Sequence, residues 1–108
     1  MNITFIGGGN MAGAIIGGLL TRGYAAGALR VVEIAPAARQ RLEQQFGVRT
    51  YAAVSPEAVD SDCIVCAVKP QQVREAAIAL KPLLSRQLVI SIAAGIRATD
   101  LSRWLGGY

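Results

Sequence analysis

A short apolar run, Ile3-Thr4-Phe5-Ile6, breaks on three consecutive glycines, Gly7-Gly8-Gly9, and an Ala-, Ile- and Leu-rich stretch follows at once over residues 10–22. A strand, a turn without side chains and a helix, in that order, open a βαβ unit, and few architectures accommodate such a joint. Read as G-x-G-x-x-A, the joint is Gly7, Gly9 and Ala12. The first glycine allows the tight turn, and the second brings the backbone close to a pyrophosphate. The third small residue lets the helix lie close on its strand. The N–H groups at the helix start, aided by the helix dipole, then face an anion.

The rest of the chain keeps the alternation. Strands are predicted over residues 30–34, 48–51, 63–68 and 88–92. Between them fall helices over 36–46 and 71–84, the latter kinked or ended by Pro82. A short helix is expected from Ser55-Pro56-Glu57, with Ser55 as N-cap, and a last one over 99–105, with Thr99 as N-cap. Pro36 suits a first helical turn and Gly47 a C-terminal cap. Strands that are apolar on both faces and alternate with helices predict an α/β fold. This is a doubly wound parallel sheet, Rossmann-like, with strand order 3-2-1-4-5. Ligands of such a sheet bind outside the carboxyl ends of the strands, where the order reverses between strands 1 and 4.

Composition narrows the function. At 108 residues, 53% hydrophobic and 17% charged, the chain is one domain with enough apolar residues for a core. No apolar run reaches the ~18–20 residues of a membrane span, and no basic region precedes an apolar stretch at the N-terminus. The expected location is the cytoplasm, with no membrane partner. The net charge of +4 comes from 11 Lys and Arg scattered along the chain. This excludes a nucleic-acid binder with a clustered basic face and suits a small anionic ligand. The sequence contains no His, the commonest metal ligand and general base. Cys63 and Cys66 form a C-x-x-C, but within a strand they point to opposite faces, so they read as reduced small hydrophobes and no metal site is expected.

Further positions bear on the predicted ligand edge. Glu33 closes the second strand about 20 residues after the glycines, where a carboxylate can accept hydrogen bonds from a free ribose hydroxyl and would repel a 2′-phosphate. It therefore favours NAD over NADP, unless it is a solvated strand-end acid. Arg39 either reaches back to a phosphate or is an exposed helix residue. Ala67-Val68-Lys69-Pro70 ends strand 4, and Ser91-Ile92-Ala93-Ala94-Gly95 ends strand 5. Small residues there let backbone approach a flat ring, Pro70 stiffens the exit, and Lys69 brings a cation near the pyrophosphate, the ribose or an anionic substrate.

Taken in order, Gly7-Gly8-Gly9-Asn10-Met11-Ala12, Ala67-Val68-Lys69-Pro70-Gln71 and Ser91-Ile92-Ala93-Ala94-Gly95 resemble pyrroline-5-carboxylate reductase over the whole chain. The resemblance implies an oxidoreductase that reduces 1-pyrroline-5-carboxylate to L-proline with NADH or NADPH, the last step of proline synthesis. It implies that Gly8, Gly9, Asn10 and Met11 contact the pyrophosphate through backbone. Ala67, Val68, Lys69 and Ala94 would bracket the ribose and nicotinamide. Two positions depart from the family. Glu33-Ile34-Ala35 stands where NADP-preferring members carry Ser, Thr, Asn or Arg, and Ala53-Val54-Ser55 replaces an Asn near the adenosine. Family members continue with a Met-Pro-Asn motif and a helical domain that homo-oligomerises and holds most of the substrate site. That domain is expected outside these 108 residues, leaving this one without turnover of its own and without a catalytic residue. The alternatives are an NAD-sensing module without turnover and a related imine or 3-hydroxyacid oxidoreductase.

Overall fold

The computed structural model describes residues 1–68 and 70–91. Five strands form one sheet: β1 (Ile3–Ile6), β2 (Leu29–Val32), β3 (Arg49–Tyr51), β4 (Cys63–Cys66) and β5 (Leu88–Ser91). Their order is β3-β2-β1-β4-β5, and every neighbouring pair is parallel. This is the doubly wound, Rossmann-like sheet that the alternation predicts. Three helices cross over between strands: α1 (Asn10–Thr21), α2 (Pro36–Phe46) and α3 (Pro70–Leu80).

The period-2 alternation of side chains sorts the strands into two cores. Ile3, Phe5, Leu29, Val31 and Cys63 face Ala12 and Ile16 of α1 and Leu42 of α2. Ile6, Val32, Ile64 and Cys66 face Val73, Ala77 and Leu80 of α3, together with Ala58 and Val59. Both cysteines are free and buried, and they belong to different cores. Burial pushes the Cys66 thiol up to about 11. Burial also raises Cys63, with a smaller contribution from the neighbouring charge of Asp62. Neither thiol is poised as a nucleophile.

Helix ends follow their sequence signals. Pro36 opens α2, and Gly47 caps it with its N–H donating to the Glu43 carbonyl. After α1, Gly23 and Tyr24 donate N–H groups to the Leu20 and Leu19 carbonyls, the paired pattern of a Schellman turn. The α3 helix stops at Leu80 and tightens into a 3-10 turn, Lys81–Leu83, because Pro82 has no N–H to continue the ladder.

The structure corrects several expected elements. The second strand ends at Val32 and not Ile34, and the fourth at Cys66 and not Val68. In both places the chain turns away from the sheet to enter the next crossover. The third strand begins at Arg49, one residue later than expected. No helix forms at Ser55. The Ser55 hydroxyl accepts from Ala58 N–H at 3.2 Å, and Val59 N–H donates to the Ser55 carbonyl, so the segment makes a single turn. That turn is held from below: the Thr4 hydroxyl, fully buried, donates to the Ala58 carbonyl at 2.7 Å and lies 2.9 Å from Ser61 Oγ. The expected helix over 99–105 and the strand 5 exit beyond Ser91 lie outside the described residues. Among the described residues, no helix is long and apolar enough to cross a membrane.

Candidate dinucleotide site

The carboxyl edge of the sheet brings three strand exits together. Gly7 N–H extends the β1–β2 ladder by donating to the Val32 carbonyl at 2.7 Å. Ala67 N–H donates to the Ile6 carbonyl and Glu33 N–H to the Tyr51 carbonyl, both at 2.8 Å. The glycine loop, Glu33 and the Ala67-Val68 exit are thus set in register by backbone bonds before any side chain acts.

The three glycines of the loop do different work. Gly7 has φ +100°, and a Cβ there would sit 2.9 Å from Val68 Cγ1 and 3.0 Å from the Ala67 carbonyl oxygen. Only a residue without a side chain makes that turn against β4. Gly8 is buried, and a Cβ on it would come within 2.7 Å of Leu42 and 3.3 Å of the Glu33 stem. Gly9 differs from both, because a Cβ there would meet nothing within 4 Å. Gly9 therefore lies bare on the open side of the loop, where a ligand's backbone-hugging group fits.

Gly9 is also the N-cap of α1, and no side chain caps that helix. No acidic residue occupies its first turn. Asn10 and Met11 are exposed, and Ala12 is fully buried against the strand, the close packing expected of the third small residue. An uncapped helix start beside bare backbone is an anion-binding arrangement.

Glu33 points into the same edge. Its Oε1 accepts Gly8 N–H at 2.8 Å and its Oε2 accepts Ala35 N–H at 2.8 Å. Each carboxylate oxygen keeps a further lone pair for a ligand hydroxyl. Gly8, by contrast, has spent its N–H inside the protein. Arg39 is half-buried. Its Nη1 donates to the carbonyls of Glu33 at 2.7 Å and Ile34 at 3.1 Å, pinning the β2–α2 joint.

A cleft of about 190 Å³ opens on the α2 side of the loop. Gly8, Gly9 and Asn10 form one wall; Arg41, Gln45 and Phe46 form another. Arg41 and Gln45 did not emerge from the sequence as site residues. Their four-residue spacing on α2, one polar stripe on one helix face, is the signal that could have found them. Val68 lies against Gly7, and Pro70 opens α3 just beyond it. Lys69 and Ala94 lie outside the described residues.

A parallel sheet in this order, with a glycine turn into an uncapped helix and an acid at the exit of β2, defines an NAD(P)-binding oxidoreductase domain. The chain belongs to the family described as NADP oxidoreductase, coenzyme F420-dependent, which it matches over residues 2–95. It is homologous to the N-terminal domain of pyrroline-5-carboxylate reductase. It is 38% identical over 105 residues to pyrroline-5-carboxylate reductase of Pseudomonas aeruginosa, covering 96% of this chain and 38% of that protein. Against the enzyme of Pasteurella multocida, identity is 44% over 105 residues, covering 93% of this chain and 38% of the other. The solved structure of a pyrroline-5-carboxylate reductase from Coxiella burnetii superposes with a TM-score of 0.91 at 38% identity. The match covers 97% of this chain and 40% of that one. The chain thus spans well under half the length of these relatives.

Proposed function

We propose that this chain is the cofactor-binding domain of a reductase that converts 1-pyrroline-5-carboxylate to L-proline with NADH or NADPH. The observation that carries the reading is the likeness to named reductases across 96% of the chain, beside which stands this chain's bare, uncapped loop at Gly9. Bound nicotinamide would supply the hydride for the imine carbon. The chain's own residues would bind and orient. The N–H groups at the start of α1 would hold the pyrophosphate, and Glu33 would accept from the adenosine ribose. The Ala67-Val68 exit, with Lys69, Pro70 and Ala94, would bracket the nicotinamide half. No residue described here is assigned a proton transfer. The substrate's carboxylate site and the homo-oligomer surface are assigned to the helical domain of the family, outside these 108 residues.

Titration with NADH and with NADPH, followed by nicotinamide fluorescence, tests the reading. Saturable binding of either dinucleotide, tighter for NADH, is the expected result. Binding of neither sinks the proposal. Proline formation by the 108 residues alone would overturn the assignment of the substrate site to the other domain.

A further inference from the structure

The Glu33 carboxylate holds two backbone N–H groups that come from different exits of the sheet. Gly8 belongs to the loop after β1, and Ala35 is the N-cap of α2. The two exits are joined by no other side-chain hydrogen bond among the described residues. The stem of Glu33 adds contact to the bond, since the Gly8 Cα faces Glu33 Cβ and Cγ so closely that a Cβ would lie 3.3 Å from each. Leu42 crowds the same Cβ position of Gly8, and Arg39 fixes the joint from which Glu33 projects. Hydrogen bonds that involve a carboxylate are stronger than those between neutral groups. Gly8 is therefore clamped, and its clamped backbone sets where Gly9 and the uncapped start of α1 stand.

From this geometry we infer that Glu33 is a positioning residue for the glycine loop, acting through Gly8, in addition to any contact it makes with a ribose. The inference rests on the dinucleotide reading above and separates from it in one respect. An acid that does no more than repel a 2′-phosphate leaves the loop in place when it is truncated, so NADPH binds more tightly. An acid that holds the loop weakens every ligand that uses the loop, with or without that phosphate.

The test compares the unaltered chain with Glu33→Ala and Glu33→Gln, using NADH and NADPH as probes and amide hydrogen exchange at Gly8 as a readout that needs no ligand. Glu33→Ala should weaken both dinucleotides, NADH by about tenfold and NADPH by less, and should expose the Gly8 amide to exchange. Glu33→Gln keeps an oxygen for Gly8 N–H and removes the charge. It should keep the Gly8 amide protected and restore NADPH binding to at least that of the unaltered chain. Tighter NADPH binding by Glu33→Ala, or unchanged Gly8 protection in it, overturns the positioning role while leaving the dinucleotide reading intact. Should Glu33→Ala fail to fold by circular dichroism, Glu33→Asp decides: it keeps the charge but draws the carboxylate back from Gly8, so Gly8 exchange should quicken and both dinucleotides should bind more weakly, and unchanged Gly8 protection in that variant overturns the role. Failure of the unaltered chain to bind either dinucleotide overturns the reading and the inference together.

Discussion

Gly7 and Val68 meet so closely that a single carbon added to Gly7 would lie 2.9 Å from Val68 Cγ1. The turn that starts the glycine loop is thus built against the exit of β4, and two stretches 61 positions apart in the chain become one surface. In the proposed function both halves of the dinucleotide crevice depend on that contact, with the pyrophosphate on the Gly9 side and the nicotinamide on the Val68 side.

Gly7→Ala should therefore damage the fold itself. The variant needs positive φ with a side chain and collides with backbone at the Ala67 carbonyl, which cannot rotate away. A loss of about 2–4 kcal/mol of stability is expected from strain and overpacking together. Urea titration followed by circular dichroism measures it, and a loss below about 1 kcal/mol would contradict the geometry.

Gly9→Ala should do the opposite. Gly9 has φ −76° and a Cβ there meets nothing, so stability should stay within about 0.5 kcal/mol. Dinucleotide affinity should fall at least tenfold, because the methyl group would occupy the place of the ligand's pyrophosphate. Matched melting and fluorescence titrations separate the two effects. An unchanged affinity would remove Gly9 from the cradle.

Alkaline pH should destabilise the chain partly through Cys66. Its thiol titrates at about 11 when folded against an ordinary value of 9.0, so between those values the folded chain holds a proton that the unfolded chain releases. The contribution is complete below pH 9.0 and is lost as pH rises to about 11, an effect of about 2–3 kcal/mol. Cys66→Ala removes this dependence at the cost of a small cavity. Melting temperatures of the two chains should converge across that interval, and parallel curves would contradict the assignment.

Thr4→Val should cost about 1–3 kcal/mol, although the side chains are nearly the same size. Thr4 is fully buried on β1, and the substitution leaves the Ala58 carbonyl without its 2.7 Å donor. The expected damage is local, so hydrogen exchange should quicken in the turn at residues 55–61 before the sheet opens. Uniform exchange across both regions would show that the turn is not held by this bond.

The architecture was legible because its signals are local and periodic. Gly7-Gly8-Gly9 after an apolar run, Pro36 at a helix start and Gly47 at its end need no distant partner to be read. The Cys63–Cys66 separation onto two faces follows from strand periodicity alone. Where the expectations missed, a distant partner or the end of a ladder was responsible. Ser55-Pro56 carries a helix start, but the chain must reach β4 within a few residues and Thr4 ties it down as a turn. Val68 carries strand composition, but it leaves the ladder to pack on Gly7.

By itself the sequence determined the α/β class and the glycine turn and pointed to the strand order, because alternation of apolar runs with helical stretches calls for a parallel sheet and the glycine joint between strand and helix fits a dinucleotide-binding winding. Only the tertiary structure decided what each site residue touches. Glu33 and Gly8 lie 25 positions apart, and the bond between them exists because parallel pairing of β1 with β2 places their exits side by side. Register is a property of neighbouring strands, and it converts residues far apart in the chain into one site.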